Sequence, residues 1–221
     1  MDDFLASPDF EFGQRSPSRP SATLGILASG SGSNFETIVD AAGGGVLDDC
    51  RIAGLVCNEP DAACLQRARR LDVPHRVIDH RDFPDRTDFD TEVVDQLTAW
   101  SVDWVIMAGW MRIVTPTFIE AFHRRILNIH PSLLPSFPGA HAVADALEAG
   151  VRMTGCTVHI VTEDVDDGPI VAQAAVPVHS DDDVDSLQQR IHRAEHAIFP
   201  RAIAATIEAG RTPVECTGGG G

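Results

Sequence analysis

Short, nearly continuous apolar segments alternate along this chain with segments of helical spacing, and this alternation most limits the folds open to it. The apolar segments, such as TLGILAS and DWVIMAG, are rich in residues that favour strands. A strand that is apolar on both faces must be covered on both faces, as in a parallel sheet flanked by helices. The pattern predicts a single-domain α/β fold with a doubly wound, mostly parallel, Rossmann-like sheet.

The predicted elements follow one another in the order that such a sheet requires. Strands are predicted over 23–29, 51–58, 75–78, 103–109 and 125–130, with helices over 34–42, 61–71, 87–100 and 116–122. Two more strands, over 154–162 and 169–178, and a closing helix over 185–209 complete the series. Asp61 and Thr87 are the expected N-caps of their helices.

Both ends of the chain differ in composition from its centre. Residues 1–21 mix Asp, Ser, Pro and Gly without periodicity, which predicts a flexible tail. The folded domain is predicted over 22–212, followed at 213–221 by a glycine-rich tail or linker. No apolar run approaches the ~20 residues needed to cross a bilayer. We therefore expect no membrane association and a cytoplasmic location.

Charge and cysteine usage exclude some functions. The net charge is -16, and all 17 basic residues are arginine, so the chain lacks the basic surface expected of a nucleic-acid-binding protein. An acidic, lysine-free surface is also typical of proteins kept soluble at high salt. The five cysteines form no C-x-x-C pair, which predicts reduced core residues and no zinc site.

A glycine-rich loop, ASGSGSN over 28–34, follows the first predicted strand and opens the first helix. Gly30 and Gly32 permit a tight turn, and the free N–H groups at the start of a helix attract anions. Phe35 occupies the third glycine position of the dinucleotide-binding fingerprint, and the lysine of a P-loop is absent. The loop alone fits a phosphate site and a plain strand-to-helix turn equally well.

Two polar residues, Asn128 and His130, end the fifth predicted strand. Residues two apart in a strand face the same side, here at the carboxyl end of the sheet. Asn can donate a hydrogen bond to a developing oxyanion, and His can move a proton near neutral pH. A structural polar pair is the alternative. The acidic stretch over 162–169 is either an ordinary turn or the source of a carboxylate that holds His130.

Taken together and in this order, ASGSGSN, AGWMRIV, NIHPSLLPSFPGAH, GCTVHIVTEDVDDGP and AEHAIFP resemble the phosphoribosylglycinamide formyltransferase family of purine synthesis. The resemblance covers nearly the whole predicted domain and implies the Rossmann-like formyltransferase fold. It also implies transfer of the formyl group from 10-formyltetrahydrofolate to the amine of 5'-phosphoribosylglycinamide. Formylglycinamide ribotide and tetrahydrofolate would be the products, and no metal would be required.

The resemblance also assigns roles to individual residues. It implies a catalytic group of Asn128, His130 and Asp166, and ribotide binding by Gly32, Ser33, Asn34 and Glu195. It implies folate binding by Arg86, Trp110, Met111, Arg112, Ile113, Val114, Leu127 and Asn128. Ser136 stands where some relatives carry a basic residue near the phosphate, and His192 receives no role. His159 matches a family histidine, but a strand histidine is expected to pack within the sheet.

Other functions stay open at this point. A 10-formyltetrahydrofolate hydrolase would share the Asn-His-Asp group but use water as the acceptor, with an added N-terminal domain. A methionyl-tRNA formyltransferase would need a tRNA-binding domain and a basic face. A non-catalytic nucleotide-binding module would need only the glycine loop. The expected partners are the two small-molecule substrates, and both a homodimer and a fusion to another purine-pathway domain are compatible with the sequence.

Overall fold

The computed structural model describes residues 4–8 and 22–211, which form one eight-stranded sheet with helices on both faces. The strands are β1 (Leu5–Ser7), β2 (Ala22–Ala28), β3 (Cys50–Cys57), β4 (His75–Val77), β5 (Trp104–Met107), β6 (Ile126–His130), β7 (Met153–Ile160) and β8 (Ile170–Pro177). The helices are α1 (Ser33–Ala42), α2 (Ala63–Arg70), α3 (Arg86–Ala99), α4 (Pro116–Ala121), α5 (Ala142–Glu148) and α6 (Val184–Arg211).

The sheet has the order β1-β8-β7-β6-β5-β2-β3-β4. Strands β2 to β6 pair in parallel, whereas β7, β8 and β1 join antiparallel at one side. The mostly parallel, doubly wound sheet is therefore confirmed. Its continuous apolar strands are explained by two buried clusters, one on each face.

Helices from different parts of the chain cover the two faces. On one face α1 and α6 pack against the sheet with residues such as Phe35 and Phe199. On the other, α3 and α4 contribute Phe89 and Phe118. Leu27 belongs to the second cluster while its strand neighbour Ile26 belongs to the first, so single strands supply both cores.

The topology places a crevice between β2 and β5. From β2 the chain moves through β3 to β4 on one side, then returns to β5 and continues to β6 on the other. The loops that follow β2 and β5 therefore diverge from adjacent strand ends, which is where open α/β sheets bind ligands. The N–H of Ser29 donates to the carbonyl oxygen of Gly109 at 2.9 Å and joins these two loops.

Both predicted helix caps are wrong. Helix α2 begins after Ala62, which makes no side-chain cap, rather than at Asp61. Helix α3 is capped by Asp85, whose carboxylate accepts from the backbone N–H groups of Thr87 and Asp88. Asp85 precedes the predicted cap by two residues, and both positions carry side chains that favour caps.

The tail predicted over 1–21 is wrong for Leu5–Ser7, which form the edge strand β1 beside β8. Residues 1–3 and 9–21 of that prediction lie outside the described residues. The tail predicted at 213–221 also lies outside them. Helix α5 was not predicted, because it follows a segment rich in proline and glycine. None of the described helices is long and apolar enough to span a membrane.

Four cysteines of the described residues are buried, as predicted for core residues, while the absence of a zinc site stays a prediction. These cysteines are free and buried: Cys50, Cys57, Cys64 and Cys156. The sulfur atoms of Cys57 and Cys64 lie 3.4 Å apart. Cys216 lies outside the described residues.

Candidate active site

Strand β6 carries Asn128 and His130 to the carboxyl end of the sheet on the same face. His130 is 5% exposed, and Asn128 is half-buried. Their neighbours Leu127 and Ile129 point to the opposite face, into the cluster that α1 and α6 cover. The strand therefore separates a polar side from an apolar side, as the spacing predicts.

Both ring nitrogens of His130 face hydrogen-bond acceptors. Nε2 lies 2.8 Å from the carbonyl oxygen of Phe137, and Nδ1 lies 3.3 Å from Oδ2 of Asp166. Because a carbonyl oxygen can only accept, Nε2 carries a proton in this arrangement. A proton added at Nδ1 would face the carboxylate, so the site can accommodate the imidazolium form.

Asp166 comes from the acidic turn after β7 and reaches inward, as the catalytic prediction requires. Its backbone lies in the left-handed region at φ 55, which turns this one carboxylate away from its neighbours. Oδ2 accepts from the N–H of Gly139 at 2.8 Å. Burial raises the pKa of Asp166, but the neighbouring His159 ring, the hydrogen bond from the N–H of Gly139 and the charge of His130 outweigh it and leave this pKa below its usual value.

His159 packs within the sheet, as expected, and it also belongs to this group. It is 2% exposed on β7, directly across the sheet from Asn128. Its Nδ1 lies 3.1 Å from the carbonyl oxygen of Ile160, so that nitrogen carries a proton. Its Nε2 lies 3.1 Å from Nδ2 of Asn128 and 3.6 Å from Oδ1 of Asp166. His159 can thus orient the amide of Asn128.

A cavity of about 350 Å³ opens directly beside these four side chains. Its opposite wall is the segment Trp110–Val114, which follows β5. The indole of Trp110 stacks on Phe89 of α3, with ring centroids 6.0 Å apart. The side chains of Met111 and Ile113 are 71% and 55% exposed, so the wall presents apolar groups to solvent. A largely apolar cavity with a few convergent polar groups is typical of a small-molecule site.

Two residues predicted to bind folate lie away from this cavity. Leu127 is fully buried on the other face of the sheet, so the prediction that it forms the apolar wall is wrong. The side chain of Leu127 points into the cluster on the other face of β6, whereas its neighbour Asn128 lines the cavity. Arg86 is the exposed first residue of α3 and does not line the cavity, and its role stays a prediction.

The glycine loop forms a second polar group at the start of α1. Gly32 lies at φ 75, and a Cβ atom there would come within 2.5 Å of Cβ of Cys64. Only glycine fits this close approach of α2 to the loop. The side chain of Arg67 on α2 donates from Nε to the carbonyl oxygen of Ser31 at 2.8 Å and pairs with Glu36. It brings a guanidinium beside the loop, which sequence reasoning missed.

Glu195 on α6 contacts this loop through Asn34. Nδ2 of Asn34 donates to Oε2 of Glu195 at 2.7 Å, whereas Oδ1 of Asn34 is buried without a partner. Glu195 is 3% exposed. Burial raises its pKa above the usual value, against the opposing effects of the Asn34 hydrogen bond and of His192, whose Nε2 lies 4.0 Å away. The structure thus joins three of the predicted ribotide residues, Asn34, Glu195 and Gly32, around one loop.

Within the described parts of the chain, no cluster of three or more His, Cys, Asp or Glu side chains could hold a metal ion. A metal-free reaction stays a prediction of the sequence. The donors that converge at the cavity are instead the amide of Asn128 and the rings of His130 and His159.

Comparison with known proteins agrees with this geometry. Residues 23–203 match the formyl transferase family. A phosphoribosylglycinamide formyltransferase from Bacillus subtilis is 39% identical over 178 residues, which cover 80% of this chain and 91% of the relative. The crystal structure of glycinamide ribonucleotide transformylase 1 from Symbiobacterium toebii superposes with a TM-score of 0.83 at 47% identity, covering 85% of this chain and 88% of the other.

Some similar proteins are much longer. The trifunctional purine biosynthetic protein adenosine-3 of Drosophila melanogaster is 46% identical over 187 residues, which are 83% of this chain but 14% of the relative. The chain therefore spans only a small part of these trifunctional relatives, while it matches nearly the full length of the bacterial enzymes. On the family match, the shared fold and the shared length, the chain belongs to the formyl transferase family.

Proposed function

We propose that this chain is a phosphoribosylglycinamide formyltransferase of purine biosynthesis. It transfers the formyl group of 10-formyltetrahydrofolate to the amine of 5'-phosphoribosylglycinamide. The observation that carries this proposal is the convergence of Asn128, His130 and Asp166 at the wall of a cavity about 350 Å³ in volume. The bacterial relatives of similar length carry the same activity in their names.

The folate is proposed to occupy the cavity. The extended segment Trp110–Val114 gives its pterin ring a flat wall with main-chain donors and acceptors, next to the apolar groups of Met111 and Ile113. In this position the formyl group would approach Asn128 and His130, which line the same cavity. The folate acts as a co-substrate, because it leaves as tetrahydrofolate in each turnover.

The ribotide is proposed to bind at the glycine loop. The N–H groups at the start of α1, from Ser33 and Asn34, are suited to its phosphate. The guanidinium of Arg67 also lies beside the loop, where its charge is paired with Glu36. Glu195 would meet the polar glycinamide end through the same contact region as Asn34.

The reaction forms one C–N bond and breaks another. The amine nitrogen of the ribotide attacks the formyl carbon and gives a tetrahedral intermediate with a negative oxygen. The amide of Asn128 donates a hydrogen bond to that oxygen, and Nε2–H of protonated His130 does so after it turns from the carbonyl oxygen of Phe137. The intermediate then loses N10 of the folate as the leaving group, and the proton given up by the amine is transferred to N10 by way of His130. Loss of one oxyanion donor typically costs about a hundredfold in rate.

Asp166 supports this step through His130. Its carboxylate faces Nδ1 of His130, and its lowered pKa keeps it ionised at neutral pH. A fixed negative charge beside the ring favours the imidazolium, which is both the better oxyanion donor and the required acid. His159 fixes the amide of Asn128 from the other side.

A direct assay tests the proposal. The protein is mixed with 10-formyltetrahydrofolate, with and without the ribotide, and tetrahydrofolate is followed by absorbance. We expect tetrahydrofolate to form only when the ribotide is present, and His130→Ala to abolish its formation without loss of the fold. Equal deformylation without ribotide would instead identify a hydrolase. Binding of the ribotide without turnover would indicate a non-catalytic module.

The assembly of this chain with other domains is a separate proposal. The trifunctional relatives support a fusion or linkage with other purine-pathway domains. A homodimer and a cytoplasmic location stay predictions of the sequence. Size measurement of the native protein in its source cells would distinguish a free chain from a fused one.

A further inference from the structure

The wall segment Trp110–Val114 makes few hydrogen bonds to the rest of the protein. Within the described residues, no backbone-to-backbone hydrogen bond joins its main chain to another part of the protein. Buried side-chain atoms of Trp110 (Nε1) and Arg112 (Nε), and of the adjacent Thr115 (Oγ1), also lack partners. Trp110 and Arg112 pack against the ring of Phe89, but the polar contacts that fix the main chain of the segment lie at its ends.

One contact lies near the start of the segment. The N–H of Met111 donates to Oγ of Ser29 at 2.9 Å, and Oγ of Ser29 donates in turn to Oδ1 of Asn58 at 2.6 Å. Asn58 is 1% exposed at the end of β3. The wall is thus tied to the carboxyl ends of the two neighbouring strands β2 and β3.

The other contact lies just beyond the end of the segment. The N–H of Thr115 donates to Oδ2 of Asp90 on α3 at 2.6 Å. Asp90 is 1% exposed, and burial raises its pKa. Arg112 and Arg86 lie close enough to oppose this rise. A buried acceptor with a short bond to a main-chain N–H fixes the backbone strongly, because leaving either group unpaired is costly.

We propose that Asp90 and Ser29 are positioning residues that hold the two ends of the folate-binding wall. This inference rests on the proposed function, because it takes the wall segment to be the part of the site that binds folate. Neither side chain lines the cavity, so both act through the main chain of the segment between them. Asp90 lies on α3, away from the glycine loop and α6 that carry the ribotide groups, so loosening its end of the wall should weaken folate binding alone. Ser29 belongs to the glycine loop, so its variant tests the folate Kd only.

Calorimetry with tetrahydrofolate measures this effect without turnover. Asp90→Ala removes the acceptor, and we expect the Kd for tetrahydrofolate to rise about tenfold. Asp90→Asn keeps an acceptor oxygen and should restore most of the affinity. Asp95→Ala, at an exposed position of the same helix, is the matched control and should bind as the wild type does. Steady-state assays should show an increased KM for the formyl-folate with an unchanged KM for the ribotide.

Ser29→Ala tests the other end independently. We expect about a fivefold rise in the same Kd, because a hydroxyl accepting one main-chain bond contributes less than a buried carboxylate. If Asp90→Ala fails to fold, Asp90→Asn and Ser29→Ala decide the question.

An unchanged Kd in Ser29→Ala, or an equal loss of affinity in Asp90→Ala and Asp90→Asn, would overturn the positioning role. An increase in the ribotide KM of Asp90→Ala as large as the increase in its KM for the formyl-folate would also overturn this role. Wild-type protein that fails to bind tetrahydrofolate at all would contradict the proposed function itself. The two failures are therefore distinguishable.

Discussion

Asp166 and Glu195 are both largely buried carboxylates near the proposed substrates, yet their pKa values shift in opposite directions. Burial raises the pKa of both. Around Asp166, the neighbouring His159 ring, the hydrogen bond from the N–H of Gly139 and the charge of His130 reverse this effect. Around Glu195, which is more deeply buried, the amide of Asn34 and the more distant His192 do not. The depth of burial and the donors and charges around each carboxylate together set the direction of its pKa shift.

The contrast matches the proposed roles of the two groups. A permanently ionised Asp166 suits the task of holding an imidazolium. Glu195, with its raised pKa, can exist closer to neutral pH as a neutral acid that both donates and accepts hydrogen bonds. One carboxylate thus supports charge in the reaction, and the other recognises a polar substrate.

The largest expected effect is on turnover in Asp166→Asn. Asparagine tolerates the left-handed backbone of this position but carries no charge to favour the imidazolium. We expect kcat to fall about a hundredfold or more, with KM for both substrates nearly unchanged. Asp167→Asn, the exposed neighbour in the same turn, is the control. Steady-state kinetics, with circular dichroism to confirm folding, would refute the proposed role if Asp166→Asn kept wild-type kcat.

Glu195→Gln should have a smaller effect, and on a different constant. Glutamine keeps an oxygen that can accept from Asn34 but cannot become charged. We expect the KM for the ribotide to rise about tenfold while kcat changes little. The exposed Glu148→Gln on α5 is the control. A loss of kcat equal to that of Asp166→Asn would show that both carboxylates serve the chemical step.

The two residues should also affect stability with opposite dependence on pH. Because the pKa of Asp166 is lowered, this residue stabilises the fold at pH above the ordinary aspartate pKa of about 3.9. That stabilisation is lost as the pH falls toward the pKa of Asp166 in the folded protein. Because the pKa of Glu195 is raised, its contribution is present below the ordinary glutamate value of about 4.3 and is lost as pH rises through its folded value.

Denaturant unfolding of both variants from acid to neutral pH measures this difference. Relative to the wild type, the free energy of unfolding of Asp166→Asn should fall further as pH rises. That of Glu195→Gln should increase over the same range. Slopes of the same sign in the two variants would contradict the assignment of opposite pKa shifts.

The smallest expected effect comes from salt. The net charge is -16, so the acidic groups on the surface repel one another. NaCl at about 1 M would screen this repulsion. We expect the Tm of the wild type to rise with NaCl, as the acidic composition predicts. The opposite pH slopes of the two buried carboxylates should persist, because buried groups are screened much less. A Tm independent of NaCl would remove the high-salt interpretation.

Much of the fold could be predicted from the sequence because its signals are local. The apolar strands β2, β3 and β6 begin and end within one residue of their predicted bounds. The caps of α2 and α3 were misplaced, because α2 begins after Ala62 without any side-chain cap and α3 is capped by Asp85, two residues before the predicted Thr87. Strand β1 carries no local signal, since its three residues become a strand only by pairing with β8.

The site was predicted in part for the same reason. Spacing in β6 correctly placed Asn128 and His130 on one face. Asp166 lines the same cavity and faces His130. His159 was given no role from the sequence, because its contacts come from pairing between β6 and β7, which spacing along the chain does not reveal. Leu127 was assigned to the cavity although strand alternation excludes it.

The sequence by itself determined the elements, the polar end of β6 and the tight glycine turn before α1. These depend on the periodicity of side chains along one strand or helix and on the freedom of single glycines. Only the tertiary structure decided which of the acidic residues at 163–167 turns inward, and in which direction the pKa of each of the two buried carboxylates shifts. The reason is physical: a pKa depends on the donors that surround a group in space, and these come from residues far apart in the chain.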